Sequence, residues 1–286
     1  MVENQHRELL ITHAVNAAIK AGAAIMDIYN TPESFDISLK SDNTPITAAD
    51  RAAHDSIKVS LGATRIPILS EEGREMRFYE RRNWDLFWMV DPLDGTVEFI
   101  ERNNEFTVNI ALMENRECVL GVIYIPYLQR LYIAERGGGA HIYRNISPNP
   151  NSQLSYSEIM ISMEGIHSDN QDHRAPTVAI SRSHNTPETF AHIDKLRVTH
   201  PDLVVVEQGS SYKFCMLAEG VVDYYIRTTH TSEWDTAAGE IILSEAGGST
   251  RSLDGEKLTY NKEDLHNPHF ECWRDKSPLT PSGNLK

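Results

Sequence analysis

Leu86-Phe87-Trp88-Met89-Val90-Asp91-Pro92-Leu93-Asp94-Gly95-Thr96 is the stretch on which the reading turns. Its first five residues are apolar β-formers and read as a buried strand. The strand ends in a turn with two carboxylates three residues apart. Pro92 fixes one backbone angle and removes a donor, so the turn is stiff and both acids can face one point. Gly95 lets the backbone come close to a ligand. A helix starting at Gly95 or Thr96 would aim free N–H groups at a phosphate. Carboxylates and a backbone carbonyl are the hard oxygen donors that magnesium prefers. The plainer alternative is an Asp-Pro turn with solvated acids.

Upstream, residues 7–30 read as an amphipathic helix, with Leu10, Ala14, Ala18, Ala21, Ile25 and Ile28 at helical spacing. A polar segment over 31–47 follows, then a second helix over 47–62 with Thr47 as N-cap. Residues 66–69 read as a short strand running into Ser70-Glu71-Glu72-Gly73, and 73–84 as a charged, exposed segment. Downstream, 105–143 alternates like antiparallel strands, with Gly121, Pro126 and Gly137-Gly138-Gly139 at turns. The glycine cluster lacks phosphate-loop spacing and reads as a hairpin turn.

The Pro/Asn/Ser-rich stretch 144–158 divides the chain into an N-terminal α+β part, 1–150, and a C-terminal α/β part, 151–286. The second part alternates strands (178–180, 203–207, 221–226) with helices (211–219 closed by Gly220, 234–246 closed by Gly247-Gly248). A loose tail is expected from about residue 274, where polar residues and prolines gather.

The chain has 286 residues and a formal net charge of −14, which argues against nucleic-acid binding and against docking on an anionic membrane. Cys118, Cys215 and Cys272 form no close pair, so neither zinc nor a disulfide framework is expected, and a reducing compartment fits. The N-terminus lacks a basic segment followed by an apolar run, and no apolar run reads as long enough to span a bilayer. A cytoplasmic protein is expected.

Three acidic clusters sit where regular elements end: Glu71-Glu72, Asp91 with Asp94, and Asp235 at the start of the 234–246 helix. Asp235 reads equally as a capping acid. By itself Asp50 reads as a surface helix acid pairing with Arg51 or a neighbour, and His184 as a structural or surface histidine. No GxSxG elbow and no HExxH pair occurs.

SEEG at 70–73, DPLDGTVEFI at 91–100 and WDTAAGEIILSEAGG at 234–248 together resemble the inositol monophosphatase superfamily of lithium-sensitive, magnesium-dependent phosphatases. Within it, DNTPITAADRAAH at 42–54, EFIERNNEFTVNIAL at 98–112, ISRSH at 180–184 and GSSYKFCMLAEGVVDYY at 209–225 are similar to the CysQ-type bisphosphate nucleotidases. The pattern runs from about residue 8 to residue 270. Val97 departs from the lysine expected there.

The resemblance implies a layered αβαβα sandwich with the active site between two subdomains. It implies two or three Mg2+ ions on Glu71, Asp91, the Leu93 carbonyl, Asp94 and Asp235, with Li+ inhibitory. Asp50 and Thr96, together with Glu71, would orient and deprotonate the attacking water. Gly95 and Thr96 would hold the phosphate by their backbone. Ser181, Arg182, His184, Gly209, Ser210 and Lys213 would form the nucleotide side, with Lys213 or Arg182 on a 5′-phosphate. The implied reaction converts adenosine 3′,5′-bisphosphate to AMP and phosphate, with the corresponding phosphosulfate as a second substrate. The alternatives are an inositol or sugar monophosphatase and a non-catalytic metal or nucleotide sensor. The expected partner is a small nucleotide, and the protein a monomer or homodimer.

Overall fold

The computed structural model describes residues 2–31, 35–40, 45–169 and 174–280. Along the chain run α1 (Val2–Tyr29), β1 (Ser38–Leu39), β2 (Pro45–Ile46), α2 (Ala48–Gly62), β3 (Ile68–Ser70), α3 (Phe78–Arg81), β4 (Leu86–Asp94) and α4 (Thr96–Ile100). Next come β5 (Thr107–Glu114), β6 (Glu117–Ile125), β7 (Arg130–Glu135), β8 (Gly139–Arg144), α5 (Tyr156–Ser162) and β9 (Glu164–Ile166). The remainder is β10 (Thr177–Ser181), α6 (Pro187–Thr199), β11 (Val204–Gln208), α7 (Tyr212–Ala218), β12 (Tyr224–Arg227), α8 (Glu233–Glu245), β13 (Ser249–Ser252) and β14 (Phe270–Trp273).

Two sheets carry the architecture. The first has seven strands in the order β3-β4-β5-β6-β7-β8-β9, and the second five in the order β11-β10-β12-β14-β13. Period-two alternation decides what each face meets. On one face of the first sheet Trp88, Val90, Val108, Ile110, Val122 and Tyr124 pack with α1 and α2. On the other, Phe87, Met89, Ala111, Met113 and Ile123 pack with α7 and α8. Those two helices also cover Ala179, Tyr225, Phe270 and Cys272 of the second sheet. The far face of that sheet, with Val178, Ile180, Tyr224 and Ile226, meets Ile193 of α6. The result is the expected αβαβα sandwich.

The middle layer packs tightly because its contacts are glycines. A Cβ on Gly121 of β6 would lie 2.5 Å from Ile241 and 2.7 Å from the Ala238 carbonyl. A Cβ on Gly239 of α8 would lie 2.5 Å from the Phe214 ring. At Gly121 the first sheet and α8 therefore approach at backbone distance, and at Gly239 α8 leaves room for the Phe214 ring of α7.

Four expectations change. The first sheet runs past residue 150: β9 pairs with β8, and Ile159 of α5 joins the core under α1. The seam of the chain thus lies beyond Ile166, because a short return strand follows the Pro/Asn/Ser-rich stretch. The charged segment 73–84 is not wholly exposed. Arg81 is buried and donates to the Asn261 side chain and to the carbonyls of Lys262 and Glu263.

The tail is anchored through residue 280. Arg274 donates to Asp223 at 2.5 Å and Leu279 joins the core beneath the second sheet. Residues 281–286, the rest of that expected loose end, lie outside the described residues, as do 42–44 of the DNTPITAADRAAH phrase. Finally, Gln5–Tyr29 is long and apolar enough to cross a membrane by length and composition. Its apolar residues are interspersed with polar ones, so it shows no single long run. In the fold Ala14, Ala18, Ala21 and Ile25 are fully buried against α2 and the first sheet.

Candidate metal and phosphate site

β3 and β4 run parallel, with Ser70 opposite Val90, so Glu71 leaves the sheet beside Asp91. The Glu71 N–H donates to the Val90 carbonyl at 3.1 Å. β4 pairs regularly with β5 as far as Asp91↔Asn109 and resumes at Asp94↔Thr107. Three steps on β4 thus match two on β5, which is a bulge. Pro92 sits in that bulge, where the ladder needs no donor from it. The turn then tightens: the Leu93 N–H donates to Asp91 Oδ1 at 3.0 Å. Gly95 follows at φ +93°, a left-handed conformation, and caps α4.

Asp235 enters from α8. Its Oδ2 accepts the Ser232 N–H at 2.8 Å, so the capping role open in the sequence is real. The same carboxylate also lines a cavity of about 460 Å3 with Glu71, Asp91, the Leu93 residue and Asp94. Gly95, Thr96, Ser181, His184, Ser210 and Lys213 line it too. The structure therefore brings together most of the residues singled out in the sequence. Asp50, Arg182 and Gly209 do not line the cavity.

Asp50 is a buried acid, 1% exposed, rather than a surface one. Its Oδ2 accepts the Thr47 N–H (2.7 Å) and hydroxyl (2.6 Å), closing the capping box of α2. Its Oδ1 accepts the Thr96 hydroxyl at 3.1 Å. Arg51, the residue next to it, meets Asp36 instead. Burial pushes the Asp50 carboxyl above the usual carboxylate range.

Charge is crowded here. Burial, and then the charges of Glu71, Asp94 and Asp235, hold Asp91 well above the ordinary range. Asp235 is raised likewise, by burial and then by Asp94 and Glu71. Asp94 is raised by burial, against the opposing pull of Lys213, Asn109 and the Ser211 N–H, which lies 2.6 Å away. Lys40 bridges Glu71 (2.7 Å) and Glu72 (2.5 Å). Burial pulls its ammonium down, but the two glutamates outweigh that and raise it.

Among the described residues no three His, Cys, Asp or Glu side chains stand in a ready-made cation cage. The donor chemistry nevertheless fits a hard cation. The acids are all oxygen donors, they repel one another in one buried place, and Lys40 already supplies one counter-charge there.

The nucleotide side is assembled differently from the expectation. Arg182 makes a two-pronged pair with Glu105, at 2.7 and 2.6 Å, and the Gly209 N–H donates to the same carboxylate at 2.7 Å. Both are thus held away from the cavity by a glutamate distant in sequence. Lys213 is buried, and its ammonium donates to the Gln208 and Ser210 carbonyls at 2.8 and 2.6 Å. Burial, then Arg227, lowers its pKa to about 8. Ser210 holds φ +53°, a left-handed conformation rare for serine, at the turn into α7. The Ser181 hydroxyl accepts the His184 N–H at 3.2 Å. Burial, then Arg227, lowers His184.

Sequence reading missed Lys40, Glu98, Arg227, His230 and Trp234, all of which line the cavity. Glu98 is buried and accepts the Ser183 hydroxyl at 2.7 Å. The placement of Glu98 just after the DGT turn was the one available signal. Nothing in the sequence near Lys40 or Arg227 marks either as a site residue.

Against this geometry, a sequence profile described as the inositol monophosphatase family matches residues 6–279. The chain is 39% identical over 246 residues to the 3′(2′),5′-bisphosphate nucleotidase CysQ of Buchnera aphidicola, covering 85% of this chain and 84% of that one. It is 38% identical over 264 residues to the enzyme of the same name from Salmonella typhimurium, covering 91% and 98%. Among solved structures, CysQ from Bacteroides thetaiotaomicron, described as a bacterial member of the inositol monophosphatase family, superposes with a TM-score of 0.82 at 44% identity. That match covers 92% of this chain and 96% of that one.

Proposed function

The chain belongs to the inositol monophosphatase family, and from that premise we propose that it hydrolyses the 3′-phosphate of adenosine 3′,5′-bisphosphate to give AMP and phosphate. The observation that carries the reading is the convergence of Glu71, Asp91, Asp94 and Asp235 on one cavity that also holds Thr96. Relatives named as 3′(2′),5′-bisphosphate nucleotidases, matched over nearly their whole length, support the substrate class. The 3′-phosphoadenosine phosphosulfate is the second substrate, and the site works in a small-molecule enzyme of the cytoplasm, monomeric or homodimeric.

Glu71, Asp91, Asp94, Asp235 and the Leu93 carbonyl would hold two or three magnesium ions. When bound, these ions lower the pKa of water and neutralise charge on the phosphate and leaving oxygen. Glu71 must turn from Lys40 to take part. The remaining work belongs to the chain itself. Thr96 spends its single hydroxyl proton on Asp50, so its oxygen presents lone pairs and accepts a hydrogen bond from the attacking water. Asp50 is locked by Thr47 and keeps that hydroxyl pointed in one direction. Glu71 is the further carboxylate placed to take up the water's proton. The backbone N–H groups at Gly95 and Thr96 orient the phosphate. Ser181, His184, Ser210 and Lys213 flank the nucleotide.

Phosphate release from adenosine 3′,5′-bisphosphate, AMP and inositol 1-phosphate, with magnesium and with or without lithium, tests the proposal. Preference for the bisphosphate with lithium inhibition is the expected result. Preference for inositol 1-phosphate would keep the metal chemistry and overturn the substrate. No release from any of the three by folded, magnesium-loaded protein would leave a sensor of metal or nucleotide.

A further inference from the structure

A second cavity, of about 290 Å3, lies where the start of β6 meets the flank of α8, β13 and the loop that follows β13. It shares no lining residue with the acidic cavity. α8 borders both, with Asp235 and Thr236 on one, and Glu240 and Ile241 on the other. Its size is at the lower end of what holds a small molecule.

Most of the charge around this second cavity is already spent. Arg136 donates to Glu117 at 3.0 Å. Glu245 accepts the N–H groups of Gly137 and Gly139 at 2.8 and 2.9 Å. Arg116 donates to the carbonyls of Tyr260 and Asn261 at 3.0 and 3.2 Å. Two groups are left over. Glu240 accepts the Tyr260 hydroxyl on Oε2 and, among the described residues, nothing on Oε1. Lys257 is exposed and, among the described residues, makes neither a hydrogen bond nor an ion pair.

These two groups have opposite sign. Tyr260 is buried and fixes the Glu240 carboxylate, which leaves one oxygen unclaimed. Burial holds that carboxyl above the ordinary range, against the pull of Tyr260 and of the Lys257 charge. A partly buried carboxylate gains most from a charged donor, and an ammonium is one. An anionic group on the same ligand would answer Lys257. Ile241 and Leu258 supply an apolar wall for the body of the ligand. A ligand with a single charge would leave one of the two groups unanswered.

We propose that this cavity binds a small zwitterion, a free α-amino acid with a short aliphatic side chain, whose ammonium meets Glu240 and whose carboxylate meets Lys257. The assignment does not depend on the nucleotidase reading.

Titration calorimetry of the full chain with glycine, alanine, serine, valine and leucine tests it. At least one of them should bind at concentrations up to about 10 mM. Its N-acetyl derivative lacks the ammonium and should bind about tenfold more weakly, the size of one partly buried charged contact. Its amide lacks the carboxylate and should lose only about threefold, because Lys257 is exposed. Glu240→Gln and Lys257→Met should weaken the free amino acid by the same two factors. Lys257→Met should leave the affinity of the amide unchanged, since that ligand has no carboxylate to lose. Asp235→Asn, which alters the acidic cavity, should bind as the wild type does. Thermal melting identifies which variants fold, and Lys257→Met carries the test if Glu240→Gln does not. No binding by any of the five overturns the site. Binding that ignores the substitutions at Glu240 and Lys257, or that disappears in folded Asp235→Asn, lies elsewhere and overturns it too. An amide that binds as tightly as the free acid overturns the zwitterion.

Discussion

The acidic wall of the cavity and its cationic wall are built by different means. Glu71, Asp91 and Asp94 leave neighbouring strands, each placed by a turn a few residues long. Asp235 is placed by the cap of its own helix. Among the cations, Lys213 is fixed by carbonyls three and five residues away, but Arg182 is fixed by an acid far off in the chain. Arg182 is held by Glu105, Lys213 donates to two carbonyls, and Arg227, whose charge acts on Asp235, has no carboxylate in ion-pair contact among the described residues. The positions of the acids are thus a local property of the chain, whereas the availability of Arg182 depends on its pairing with the distant Glu105.

The largest expected effect tests the acidic wall. Asp94→Asn or Asp235→Asn should lower turnover by roughly three orders of magnitude or more at saturating magnesium, as loss of a charge-stabilising group at a reacting centre does. Neither should unfold the protein. Asp235→Asn should raise the melting temperature of the metal-free protein, because one of several mutually repelling charges is gone. Near-normal turnover in either variant would show that these acids do not hold the metal.

Next in size is Thr96→Val, which should slow turnover by about 100-fold, the scale of one lost proton-transfer partner. Calorimetric titration should show magnesium binding unchanged, because Thr96 supplies no carboxylate. An unaltered rate would remove the Thr96–Asp50 hydrogen bond from the reaction.

The two arginines give the sharpest contrast. Arg182→Gln should destabilise the protein by about 1 kcal/mol, since it breaks a part-exposed two-pronged pair and leaves Glu105 with fewer donors. Arg227→Gln should not lower the melting temperature, since that guanidinium forms no ion pair among the described residues and its one hydrogen bond is 3.4 Å long. Equal losses in both would mean that the two walls do not differ in the way their pairings indicate.

The same contrast explains how much could be read from the sequence. SEEG, DPLDGT and WDTAAG each combine an acid with the turn or cap that aims it, so the acidic wall and the alternation of strands and helices were legible. Asp50 was not legible from its own neighbourhood, because its burial depends on the packing of α2 against α1 and the first sheet. The fate of Arg182 depended on Glu105, far away in the chain. The return of β9 to the first sheet hid the true seam, since a strand of three residues carries almost no periodic signal.

The smallest effect supplies the control. Glu240 is a second raised acid of α8, outside the acidic cavity, with Tyr260 donating to it. Burial pushes its carboxyl up to about 7 from an ordinary 4.5. A folded pKa above the unfolded one means that the native state holds the proton more tightly. That stabilising contribution is whole below about pH 4.5 and is lost as pH rises through about 7. Glu240→Gln imitates the protonated form at every pH. Relative to the wild type it should therefore be little changed near the lower value and more stable above the upper one. The gain is at most about 3 kcal/mol, or several degrees in melting temperature for a chain of this size. Because burial rather than a cluster of acids raises Glu240, the gain should be the same with and without magnesium. The gain from Asp235→Asn should vanish when magnesium is added, since the wild type then has its repulsion relieved. A magnesium-dependent gain at Glu240, or a magnesium-independent one at Asp235, would show that burial and mutual repulsion do not separate the two acids as the geometry requires.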